Sequence, residues 1–218
     1  MQDLTIATGD IVASSRLGAD ELDEVMSTLR EASRLVWRWR IRTQPPEFVR
    51  FRGDGWQAVL PEPEVALRAA LFFRARVRCL GPDRDTRVSI GIGSGMIRGG
   101  ALGASAGPAF EVSGRGLDAM PRTARFAIDH ADPPKGAPAR ERALVQAMFG
   151  LADEISRRWT VKQAQVFSRM LAPDAGPQKG AAEALGVSQQ MIAKHLRTGG
   201  DWAIQQAMQT LEAGLALE

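Results

Sequence analysis

Eleven residues, Arg50-Phe51-Arg52-Gly53-Asp54-Gly55-Trp56-Gln57-Ala58-Val59-Leu60, constrain the fold more than any other stretch of this chain. They read as two short strands joined by a tight turn. Asp-Gly is a strong hairpin signal, because glycine accepts a positive φ at no steric cost. An isolated hairpin is marginal in water, so this one needs strands beside it and a layer to cover it. The nearest candidate is the strand-like stretch at residues 3–10, which ends in Asp10. If the two lie side by side, Asp10 and Asp54 meet at one point. Two carboxylates placed so would suit a magnesium ion that holds a nucleotide by its phosphates.

The order of elements around the hairpin narrows the fold further. Leu22, Val25, Met26, Leu29, Ala32, Leu35 and Val36 recur at helical spacing, which predicts a helix over about 20–38 with Asp20 as its cap. The hairpin strands are expected at 47–52 and 55–60. Pro61 and Pro63 open a second helix that runs to Gly81. Val88, Ile90 and Ile92 alternate within a strand over 86–95. The sequence β-α-β-β-α-β is the split βαβ pattern, a ferredoxin-like antiparallel sheet with two helices on one face. Gly-rich residues 99–107 suggest a loop or short hairpin. A helix around 110–120 and a strand over 124–129 follow.

The segment Asp132-Pro133-Pro134-Lys135-Gly136-Ala137-Pro138 has the clearest linker composition of the chain. Two domains are therefore expected, an α+β domain over 1–135 and an all-helical one over 139–218. The helical part starts with a long helix over 139–157 that carries Leu144, Val145, Met148, Leu151 and Ile155. Thr160 caps the next helix. The last one starts near Asp201, with Trp202, Ile204, Ala207, Met208 and Leu211 on its apolar side.

Between them, residues 178–197 have the layout of a helix-turn-helix. Ala182 is small where two helices must approach, and Gly186 sits where the turn wants a positive φ. Ser188 caps the second helix, and Val187, Ile192 and Leu196 supply apolar contacts. The candidate DNA contacts are Gln178, Ser188, Gln189, Gln190, Lys194 and Arg197, with Thr160 or Lys162 near phosphate. Glutamine can bond adenine in bidentate fashion, while lysine and arginine suit guanine or phosphate. This segment, over about 160–212, resembles the helix-turn-helix of sigma-factor region 4 and of LuxR-type regulators.

Composition fits both parts. The 218 residues are 44% hydrophobic and 24% charged, enough for a core without staples. The single cysteine, Cys79, forms no internal disulfide and suits a reducing compartment. Met1-Gln2-Asp3 leads into a strand-like stretch instead of a signal peptide, and no window approaches a membrane span. A cytoplasmic protein without membrane contact is expected. A net charge of +3 permits binding to nucleic acid without demanding it. The arginines at 34, 38, 40 and 42 read as a solvated helix end, and Trp37, Trp39 and Trp56 as core or interface residues.

Over about 4–130 the chain resembles the catalytic domain of class III nucleotide cyclases. Thr8-Gly9-Asp10-Ile11-Val12 is similar to that family's first metal-binding strand, and Gly53-Asp54 to its second metal aspartate. Ile90-Gly91-Ile92-Gly93-Ser94-Gly95 is similar to its Ile-Gly-Ile-His-x-Gly strand. Residues 107–115 align with its Gly-x-x-Val-Asn-x-x-x-Arg helix, and the resemblance makes Arg115 the group that would stabilise the transferring phosphates. Three positions depart from that pattern. Glu111 stands at the family's asparagine, Arg50 at its base-reading lysine, and Ala104 at the other base-reading position. A cyclase-like domain ahead of a helix-turn-helix resembles the SatD-like proteins.

Together these readings imply a DNA-binding transcriptional regulator. Its cyclase-like domain would be catalytically degenerate and serve homodimerisation and the sensing of a nucleotide, with Arg50 near the ligand and magnesium on Asp10 and Asp54. The alternatives are an active cyclase using Arg115, with an appended DNA-binding module, and an adaptor that contacts RNA polymerase.

Overall fold

A computed structural model describes residues 2–41, 43, 48–98, 101–131 and 139–214. The expected linker 132–138, Arg42, Pro46 and the start of the Gly-rich segment lie outside the described residues. The protein is a mixed α+β structure, in which a mainly antiparallel sheet carries helices on both faces.

Among the described residues, six strands build the sheet. They are β1 (Gln2–Ile11), β2 (Val49–Phe51), β3 (Gly55–Leu60), β4 (Thr86–Arg98), β5 (Ala101–Ala106) and β6 (Phe126–His130). Their order is β2-β3-β1-β4-β5, with β6 joined to β4 in parallel. The expected hairpin of β2 and β3 is present, but its turn differs from the expectation. Phe51 pairs with Gly55, so Arg52, Gly53 and Asp54 form the loop. The positive φ values fall on Arg52 (49°) and Gly53 (84°), not on Gly55. Gly55 is needed for space instead, since a Cβ there would sit 2.6 Å from the Phe51 ring.

The helices are α1 (Ala19–Arg38), α2 (Ala66–Arg78), α3 (Pro108–Ala119), α4 (Ala139–Arg157), α5 (Val161–Met170), α6 (Gln178–Leu185), α7 (Gln189–Thr198) and α8 (Asp201–Glu212). Helix α1 starts one residue before Asp20. Its cap is Gly18, whose N–H is accepted by Glu21 Oε2 at 2.9 Å. A short 3-10 turn, Pro63–Val65, leads into α2. Nearly every side chain of α2 is buried, including Leu67, Leu71, Phe72, Phe73 and Val77. One side of α2 covers the sheet, where Phe73 meets the Trp56 ring edge-on at 5.1 Å. Its other side receives α5, α4 and α8. One continuous apolar core therefore runs from Ala7 and Trp56 through Phe73 to Phe149, Phe167, Leu196 and Met208. Helix α3 lies on the opposite face of the sheet. There Gly91 admits the α3 backbone so closely that a Cβ would lie 2.2 Å from the Ala109 carbonyl.

An ionic joint crosses the same seam. Arg74 of α2 is fully buried. Its Nε and Nη2 donate to the two oxygens of Asp85 at 2.9 and 2.7 Å. Its Nη1 donates to Asp153 Oδ1 at 2.8 Å and to Ser156 Oγ at 3.0 Å, both on α4. Farther along, Arg68 forks onto Glu212 of α8 and donates to the Leu171 carbonyl.

That joint corrects part of the sequence reading. Of the apolar residues read along α4, Leu144 and Leu151 are exposed, Leu151 to 67%. The buried stripe is Val145, Phe149, Ala152, Asp153 and Ser156, because Asp153 and Ser156 must face Arg74. Trp202 is likewise 78% exposed, lying well round α8 from its buried stripe of Ile204, Met208 and Leu211. Val187, expected as a contact, is exposed as well.

Removing one partner of a buried ion pair leaves the other charge uncompensated, at a cost of about 3–5 kcal/mol. Arg74→Met is expected to lower the unfolding free energy by that amount in urea titrations. A loss under about 1 kcal/mol would mean that the joint does not hold the two halves together.

Candidate functional site

Two places hold the residues singled out in the sequence. The first is the corner where β1 ends. Asp10 pairs with Gly55, the residue after Asp54, so the register brings the two aspartates to adjacent positions as expected. Both carboxylates already have partners. Asp10 lies directly opposite Arg87 of β4, whose Nε donates to Asp10 Oδ1 at 2.8 Å while Nη2 takes Oδ2. Asp54 accepts a hydrogen bond from Ser14 in the 3-10 turn Ser14–Arg16 that follows β1. The guanidinium of Arg87 feels Asp10 first, then Asp118 of α3 and Asp54, and these hold its pKa above the usual arginine range against the desolvation of the site. The two carboxylates are the hard oxygen donors a magnesium ion takes. An ion would have to displace Arg87 from Asp10. Among the described residues, no group of three or more His, Cys, Asp or Glu is arranged to hold a metal.

Arg87 was not anticipated. Its signal was the strand alternation itself: once β4 is set antiparallel beside β1, Arg87 falls opposite Asp10.

The other positions expected from the cyclase resemblance do not gather at this corner. Arg50 pairs with Trp56, which pairs with Gly9, so all three share the face covered by α1 and α2. Asp10, one residue on, points to the α3 face. Arg50 donates to Asp23 of α1 and to the Gly53 carbonyl. Arg115 is 69% exposed on α3, with Glu111 at 3.6 Å one turn away. Ala104 lies on β5.

The second place is the pair α6 and α7. Helix α6 ends at Gly186 in the left-handed region, with φ 64° and ψ 33°. The Val187 N–H bonds back to the Ala182 carbonyl at 3.1 Å. The Ser188 hydroxyl accepts the Met191 N–H at 3.2 Å and so caps α7. Ala181 and Ala182 face inward, as do Ile192 and Leu196. Helix α5 starts at the Thr160 cap, in reciprocal bonds with Gln163, and packs against both α6 and α7. The far end of α7 is clamped. Trp159 donates its Nε1–H to the Gly199 carbonyl at 2.8 Å and stacks on Phe167 at 4.0 Å. Gln163 also donates to Thr198 Oγ1 at 3.1 Å. Trp159 carries this clamp and was missed, although a large apolar residue just before a cap is a staple signal.

The expected DNA-contacting positions are placed as follows. Ser188, Gln189, Gln190, Lys194 and Arg197 are exposed, and Gln178 is half-buried at the start of α6. Thr160 and Lys162 are exposed at the start of α5.

No family model matches the chain, and no curated protein matches it.

Arg87→Gln removes the tethered cation from Asp10. Manganese or magnesium is then expected to raise the melting temperature of this variant more than that of the wild type. Equal shifts in the two proteins would show that Arg87 does not compete for the corner.

Proposed function

We propose that the protein is a DNA-binding transcriptional regulator whose cyclase-like domain is catalytically degenerate. The observation that carries this reading is the α6–α7 unit. A left-handed glycine turn and a serine cap present α7 with Gln189, Gln190, Lys194 and Arg197 all free to meet a partner's surface. The helix-turn-helix assignment rests on that geometry and on the support from α5. A recognition helix of this kind enters the major groove and reads base edges with such side chains.

The order β2-β3-β1-β4, with α1 and α2 on one face, supports the ferredoxin-like assignment and with it the cyclase resemblance. The ionic partners just described support the degenerate reading, beside Glu111 and Arg50 at the family's asparagine and lysine positions. Asp10 is engaged by Arg87, Arg50 by Asp23, and Arg115 by Glu111. In this reading the α+β part forms a homodimer, which sets two recognition helices at a fixed spacing for two half-sites. A nucleotide with magnesium at Asp10 and Asp54 would tune that spacing only by binding the two arrangements unequally. An active cyclase remains the catalytic alternative.

A second reading, an adaptor docking on RNA polymerase, is favoured by Val187 and Met191. Both are exposed apolar residues beside the turn.

The test is binding of the full chain to genomic DNA fragments across a salt series, with the wild type and with Gln190→Ala/Arg197→Ala. Selective binding is expected for the wild type. The variant should lose about 1–3 kcal/mol for each base contact removed. Its remaining affinity should fall with salt as phosphate contacts do. If the wild type selects no fragment, the regulator reading fails and the adaptor becomes the leading alternative.

A further inference from the structure

A cavity of about 810 Å³ lies at the seam between the two halves of the molecule. Its walls come from α1 and α2 on one side, and from α5, the turn after it and α6 on the other. That volume falls in the range of sites that enclose small organic ligands, about 300–1,000 Å³.

The lining has two chemical parts. The floor is aromatic: Trp39 and Phe72 meet edge to face, with ring centroids 5.2 Å apart. The rim is cationic, with Arg38 from α1, Arg76 from α2 and Arg169 from α5. Asp174 is the carboxylate among the lining residues. Arg76 is held in place over the Phe72 ring, 6.0 Å from its centroid, by an ion pair with the exposed Glu31. Between the walls lies Cys79, whose thiol donates to Ser168 Oγ of α5 at 3.7 Å. Burial pushes that thiol's pKa up, while Arg76 and Arg169 pull the other way. Arg76 and Arg169 line the cavity from its two opposite walls, α2 and α5.

We propose that this seam binds a small organic anion with a planar, apolar body. The body would lie against Trp39 and Phe72, and the carboxylate, sulfonate or phosphate group would meet the arginines. Arginine suits such anions because its fork bonds two oxygens at once. The aromatic floor adds area that an inorganic anion cannot use. Because α6 forms one wall, a ligand here touches the helix that precedes the proposed recognition helix. It would act as an effector only if its affinity differs between arrangements of that wall. This last step rests on the DNA-binding reading, whereas the binding site itself does not.

The test uses the full chain and 1-anilinonaphthalene-8-sulfonate, an aromatic sulfonate whose fluorescence rises in apolar surroundings, with inorganic sulfate as a separate arm. Saturable binding of one dye per chain is expected. Arg38→Glu/Arg169→Glu should weaken it about tenfold or more. Trp202→Ser, which alters the exposed apolar surface of α8 elsewhere, should leave it unchanged. In the wild type, the dye should protect Cys79 from iodoacetamide over the same concentration range, and sulfate alone should not. Binding that survives the charge reversal within about twofold, or a Cys79 alkylated at the same rate with and without dye, would overturn the site. Equal protection by sulfate would overturn the requirement for a planar body. None of these readouts involves DNA, so each is decided whether or not the regulator reading holds. Once a selected fragment is known, the dye's effect on its affinity tests the coupling alone.

Discussion

A guanidinium with no access to water has to find an acceptor for each of its donors inside the protein. Each of the three nitrogens of Arg74 finds acceptors among Asp85, Asp153 and Ser156, and much of the architecture follows from it. Asp85 stands at the entrance to β4, and Asp153 and Ser156 on α4. One side chain therefore fixes the helical half against the sheet half. Arg78 and Arg125 also reach Asp85, at 3.7 and 3.3 Å. Burial and the neighbouring arginines lower the pKa of Arg78, and Asp85 works against them. The cluster holds more cationic than anionic side chains, and carbonyl oxygens supply the remaining acceptors. Arg78 donates twice to the Trp159 carbonyl, and Arg125 to the Arg122 and Ala124 carbonyls.

Several local features of the fold were legible in the sequence because local rules govern them, although the cap of α1 and the turn of the hairpin were not. A cap is a serine or threonine beside a helical stripe, and Thr160 and Ser188 both cap as read. A turn is a glycine at a required φ, as at Gly186. The β-α-β-β-α-β order followed from apolar periodicity. What the sequence did not disclose depends on contacts distant in the chain. Apolar residues fall on more than one face of helix α4, and the face with Asp153 turns inward to meet Arg74, some eighty positions earlier (79 from Asp153). Trp202 looks like a core residue by type, yet its angle on α8 turns it outward.

The candidate site was legible in part for the same reason. The adjacency of Asp10 and Asp54 needed only strand order, whereas the partner of Asp10 needed the register of a third strand. That partner changes the electrostatics of the corner. Two carboxylates alone would repel each other and draw in a cation. With Arg87 between its acidic neighbours, the corner holds a tethered cation of its own. The α7 side chains differ, since a capped helix supported by α5 projects them outward whatever lies across the sheet.

The pairing of Arg68 with Glu212 has a consequence for the order in which the molecule can be completed. Its two ends are 144 residues apart in sequence. During synthesis, α2 emerges long before α8 exists, so Arg68 and the apolar back of α2 spend that interval without their permanent cover. The back of α2 therefore gains its cover only as α4, α5 and α8 are made, and the Arg68–Glu212 pair is the last part of that cover to be synthesised.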